Sequence, residues 1–88
     1  MKVIQTVSEV SGEGLESLMG KKVIIFAANY FYTGTLVGVN THDIKLENPA
    51  IVYETGAFSD SKYKDEQLMG QKYHYVRTSF IESYGLAK

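Results

Sequence analysis

The sequence predicts a mainly β protein: a short N-terminal helix followed by five short antiparallel strands that form a barrel or a strongly bent sheet. Three observations carry that prediction. From Lys22 onward, β-branched and aromatic runs replace helical spacing. Short polar or glycine-containing turns separate those runs. Gly34 and Gly38 stand inside the second run, where glycine marks a sharp bend or a close backbone approach.

Residues 1–12 read as an N-terminal arm, and 13–88 as a single domain with no internal repeat. Val3 and Val7 partly alternate with Ile4, the pattern of an extended arm or an edge strand. Ser11-Gly12-Glu13-Gly14 is a breaker cluster, Leu15, Leu18 and Met19 stand at helical spacing, and Gly20 is a stop. One or two turns of helix with one apolar face are expected there. Val23-Ile24-Ile25-Phe26 has the composition of a strand, Ala28-Asn29 turns the chain, and Tyr30 to Val39 is the second strand. After the polar turn Asn40-Thr41-His42-Asp43, Ile44 and Leu46 alternate with Lys45 and Glu47 as in a half-buried strand. Pro49 interrupts the ladder, and Ile51-Val52-Tyr53 can resume it beyond a kink. Residues 55–70, rich in Gly, Ser, Lys and Asp, read as a long solvated loop with room for a short helix capped by Ser59 or Asp60 and ended by Gly70. Tyr73, Tyr75 and Arg77 then alternate with His74 and Val76, and Phe80 to Tyr84 makes the last strand.

Composition narrows the class. Nine Lys+Arg against ten Asp+Glu leave a formal charge of −1, so no bulk positive field draws in nucleic acid. With no Cys there is no disulfide framework, thiolate metal site or cysteine nucleophile. No apolar run approaches the roughly 20 residues of a membrane span, and the start of the chain is too weakly apolar for a secretory signal. A soluble cytoplasmic domain is expected. At 88 residues the chain buries only about 60% of the surface it exposes unfolded. Seven Tyr and four Phe supply bulk, and self-association is the remaining common support for so small a core.

Catalytic motifs are weak. Gly14…Gly20-Lys21-Lys22 has one residue too many for a phosphate-binding loop, lacks the Ser or Thr after Lys, and flanks a helix instead of preceding one. His42, Asp43 and Ser79 are only isolated pieces of a triad, and His42 and His74 are not at metal-ligand spacing. The chain therefore reads as a binding protein, not an enzyme, with no cofactor and no metal. Tyr30, Tyr32, Tyr73, Tyr75 and Tyr84 read first as half-buried or interface packing and second as nucleic-acid stacking. Lys21-Lys22 reads as a solvated helix end.

Two stretches carry a family resemblance. Tyr32-Thr33-Gly34-Thr35-Leu36-Val37-Gly38-Val39-Asn40-Thr41-His42-Asp43-Ile44-Lys45-Leu46 runs through a Gly, a Leu two residues on, a polar turn and a closing Leu. After the long loop comes Val76-Arg77-Thr78-Ser79-Phe80-Ile81. In this order, behind Leu15, Leu18 and Gly20-Lys21-Lys22-Val23, they resemble the two motifs and N-terminal helix of the Sm/Lsm family over residues 13 to 85. The resemblance implies a five-stranded, SH3-like open barrel. Gly34 would let the second strand bend, and Leu36, Ile44, Leu46, Val76 and Ile81 would fill the interior.

It further implies a homo-oligomeric ring, in which the edge strand of one subunit pairs with that of the next, and single-stranded RNA bound at the inner rim. Carried over by position, the RNA-binding residues are Asn40, His42 and Asp43 in the first turn and Arg77, Thr78 and Ser79 in the second. His42 would stack on a base, Arg77 would stack and contact phosphate, and Asn40 or Asp43 would accept from a base edge. The turn departs from the family in having Asn40 at its first position, Asp43 near the usual Asn, and Thr78 in place of the usual Gly. An ionised Asp43 accepts but cannot donate. The alternative function is a ring-forming scaffold that binds other proteins through residues 55–70, without RNA. No membrane partner is expected.

Overall fold

The computed structural model describes residues 13–88; the arm expected over 1–12 lies outside the described residues. The strands, in chain order, are β1 (Lys22–Ala27), β2 (Phe31–Val39), β3 (Asp43–Glu54), β4 (Asp65–Leu68), β5 (Tyr73–Arg77) and β6 (Ile81–Leu86). All pairings are antiparallel, and the sheet runs β4-β3-β2-β1-β6. β3 is the organising strand. Its first half pairs with β5, from Asp43↔Arg77 to Glu47↔Tyr73, and its second half pairs with β4, from Ala50↔Leu68 to Glu54↔Asp65. The sheet is strongly bent but does not close. Among the described residues, the outer edges of β5 and β6 have no strand partner.

The bend is built at Gly34. The β2–β3 register slips between Thr33↔Ala50 and Thr35↔Glu47, where Asn48 takes a φ of 50° and Pro49 is buried. An added Cβ at Gly34 would stand 3.0 Å from Leu46 Cβ and 3.1 Å from the Glu47 carbonyl. Only glycine lets the strands approach this closely. Pro49, lacking an N–H, sits where the ladder is already irregular, so Ile51-Val52-Tyr53 continues the strand as the sequence suggests.

Inside the bend lie Val23, Ile25, Ala27, Leu36, Ile44, Leu46 and Val76, with Leu15, Leu18, Tyr32, Val39 and Ile81 packed against them. Four of the five expected interior residues are buried, and Ile81 is partly buried at the rim. Each such aliphatic side chain contributes about 1.5–3 kcal/mol on burial. β1 is buried on both faces. Ile24, on its other side, joins Val52 and Tyr63 in a second cluster, flanked by Phe26 and Ala87.

Three expectations are corrected. The N-terminal helix is a single four-residue 3₁₀ turn, Leu15–Leu18, none of it fully buried. Gly14 at φ 79° and Gly20 at φ 82° bound it too tightly for a helical nucleus to propagate. Leu15 and Leu18 still cover the core, while Met19 is exposed. There are six strands, not five, because the segment read as a loop over 55–70 contains β4 in place of the short helix considered there. The unpaired second half of β3 offers a row of backbone groups, and that demand overrides the loop-like composition. Tyr63, 8% exposed, anchors the segment from below. The last strand begins at Ile81, with Phe80 in a 3₁₀ turn over Thr78–Phe80.

A polar tie crosses the second face. The wholly buried Thr33 hydroxyl donates to Glu66 Oε2, which lies 3.4 Å from Lys22 Nζ. β4 is thereby joined to β2 and β1, which it does not pair with. Among the described residues, no helix is long and apolar enough to cross a membrane.

Candidate functional site

The turn between β2 and β3 is closed by its own first residue. Asn40 Oδ1 accepts from the backbone N–H groups of His42 and Asp43, each at 2.8 Å, and Asn40 N–H donates to the Asp43 carbonyl at 2.9 Å. This is the side-chain mimicry of a backbone turn for which Asn is suited. Its consequence is chemical: the Asn40 oxygen is committed to the turn, and His42 is exposed.

The turn after β5 lies directly against it. Thr78 N–H donates to the His42 carbonyl at 2.8 Å, and Thr78 Oγ1 donates to the Thr41 carbonyl at 2.8 Å. Asp43 and Arg77 are register partners at the ends of β3 and β5. All six residues singled out in the sequence, Asn40, His42, Asp43, Arg77, Thr78 and Ser79, therefore meet at one end of the β3–β5 pair, although nearly forty positions separate the two groups. His42, Arg77 and Ser79 are exposed, and Asp43 and Thr78 half-buried. Thr78 acts as the staple, a role its hydroxyl fulfils and a glycine could not.

The third turn of this end, Ala28-Asn29-Tyr30, joins through the Ala28 N–H, which donates to the Phe80 carbonyl at 2.9 Å. Between this third turn and the end of β5 opens a cleft of about 240 Å³, lined among others by Tyr30, Tyr32, Tyr75, Arg77 and Phe80. Tyr30 and Tyr32 pack edge-on at 6.2 Å, and Tyr32 leans on the His74 ring at 5.4 Å. His74 Nδ1 is in turn 2.9 Å from Gln71 Oε1. Burial, and secondarily the neighbouring Tyr30, raises the Tyr32 phenol above its ordinary pKa. So Tyr32 and His74 belong to packing. Tyr75 does not: it is 58% exposed on the outward face.

That outward face is the part of the surface the motifs did not mark. Lys45 Nζ lies 4.0 Å above the centre of the Tyr73 ring and 5.9 Å from that of Tyr75, and Lys72 Nζ lies 5.4 Å from Tyr73. The available signal was the period-two spacing of Tyr73, Tyr75 and Arg77, which places all three on one side of β5. Among the described residues, no group of three or more His, Cys, Asp or Glu side chains is placed to hold a metal ion. No protein-family model, curated protein or solved structure matches the chain.

Proposed function

We propose that this chain is an Sm-like protein that assembles into a homo-oligomeric ring and binds single-stranded RNA at the joined turns 40–43 and 77–79. The observation that carries the proposal is the pair of hydrogen bonds that Thr78 donates, from its N–H to the His42 carbonyl and from its hydroxyl to the Thr41 carbonyl. It brings an outward imidazole and an outward guanidinium onto one rim. Such a pair offers an aromatic face for a base and a fork of donors for phosphate.

Ring assembly is supported by the edges. β4 carries Asp65 and Glu66, charges of the kind that blunt an edge, whereas β5 reads Tyr73-His74-Tyr75-Val76-Arg77 and β6 reads Ile81-Glu82-Ser83-Tyr84-Gly85-Leu86. Tyr84 and Leu86 register with Ile25 and Val23 of the core, yet both are exposed. A neighbour's β5 laid along β6 would cover them and pair both free edges. A scaffold role is favoured by one feature alone, the exposed Phe58 on the segment that Tyr63 anchors.

Two measurements test the proposal together: mass by light scattering, and fluorescence anisotropy with labelled oligouridine. The expected results are a mass of several chains and a salt-sensitive affinity that falls in Arg77→Ala and His42→Ala. A single subunit at micromolar dilution overturns the ring. Binding no better than that of a neutral control protein at low salt overturns the RNA role, and co-purification of a protein partner that is lost in Phe58→Ser then favours the scaffold.

A further inference from the structure

We infer that the outward face of β5 is a track for the RNA strand leaving the turns, with Tyr75 as its stacking platform and Lys45 and Lys72 as its phosphate contacts. This rests on the RNA-binding proposal above and extends it from a point to a path. The alternation of a strand puts Tyr73, Tyr75 and Arg77 on one face, opposite Glu47, Lys45 and Asp43 respectively, while His74 and Val76 face inward. Arg77, at the turns, is the start of the row.

The two tyrosines have different tasks. Tyr73 is a positioning residue: its ring holds the Lys45 ammonium at 4.0 Å and the Lys72 ammonium at 5.4 Å, fixing two otherwise flexible cations beside the strand. Tyr75, 58% exposed and farther from Lys45, has ring surface left for a base. Successive residues on the face recur about every 7 Å, roughly twice the ~3.4 Å charge spacing of one strand in a duplex. An extended, unstacked single strand fits that repeat and a stacked helix does not. Asp43, Lys45 and Glu47 alternate in sign along β3, so the face is no continuous positive strip, and affinity must come partly from stacking.

The test compares two labelled oligouridines, one of about five nucleotides that fills only the turns and one of about twelve that also reaches the face. The expected wild-type result is tighter binding of the longer one, with a slope of log K against log salt steeper by about 1.4 for the two added phosphate contacts. Tyr75→Ala should weaken the longer oligonucleotide about tenfold and leave the shorter one unchanged. Lys45→Gln/Lys72→Gln should remove the extra salt slope. Retained binding of the short oligonucleotide shows that each variant is folded. Equal affinity for both lengths, or an abasic extension as effective as a uridine one, overturns the track while leaving the turn site standing. Loss of both lengths in wild type overturns the RNA-binding proposal, and the track with it.

Discussion

Replacing Gly34 by alanine adds one methyl group where β2 crosses closest to β3. The new Cβ would lie 3.0 Å from Leu46 Cβ, 3.1 Å from the Glu47 carbonyl oxygen and 3.5 Å from Pro49 Cα. Comfortable carbon–carbon contact begins at about 3.5 Å. None of the three neighbours can swing away, since Leu46 is wholly buried and the other two are backbone atoms. Overpacking of this kind costs about 1–3 kcal/mol. In a domain of this size each kcal/mol moves the melting temperature by about 4–8 °C, so a fall of between about 4 and 24 °C is expected. Two sister substitutions calibrate it. At Gly38 the added atom meets Lys45 Cβ at 3.2 Å, at the base of a half-buried side chain, and the cost should be smaller. At Gly85 it meets nothing within 4 Å, and the reduced freedom of the unfolded chain should make the change neutral or stabilising by up to about 1 kcal/mol. The assay is thermal unfolding followed by far-UV circular dichroism, at one fixed subunit concentration because association shifts the midpoint. If Gly34→Ala melts with or above Gly85→Ala, close backbone approach is not what bends this sheet.

Three further outcomes are expected. Glu66→Ala strands the buried Thr33 hydroxyl and should cost about 1–3 kcal/mol, most of which the double variant Thr33→Val/Glu66→Ala recovers; additive losses in a denaturant cycle would refute the tie. Tyr32 has a folded-state pKa raised above 10.0, so its contribution to stability is complete below that pH and disappears as pH rises through the folded value. Alkaline titrations of stability should therefore fall less steeply in Tyr32→Phe than in wild type, and identical curves would contradict the assignment. Asn40→Ala removes the acceptor for two backbone N–H groups and should cost about 0.5–2 kcal/mol, whereas Asn40→Asp keeps it and should melt close to wild type at neutral pH. Equal losses in both would show that the turn does not depend on that oxygen.

The candidate site was legible to the extent that its chemistry is local. Asn40 and the polar turn it opens stand out between two alternating strands, and Arg77 ends a strand marked by its period. What could not be read was how Asn40 spends its oxygen, or that Thr78 would be the residue that joins the two turns. Both depend on which backbone carbonyl lies opposite, and that is set by the bend at Gly34 and the register of β3 with β5.

Pattern alone determined the β class, the five stronger strands, and the inward residues Leu36, Ile44, Leu46 and Val76, because side-chain alternation is a property of neighbouring residues. Tertiary structure decided what has no local signature. It reduced the expected helix to one 3₁₀ turn between two left-handed glycines, and it recruited Asp65–Leu68 as a strand. Three polar residues and an exposed leucine, with little strand propensity of their own, become β4 because half of a twelve-residue strand would otherwise leave its hydrogen-bonding edge unpaired, and Tyr63 pins them there by burial.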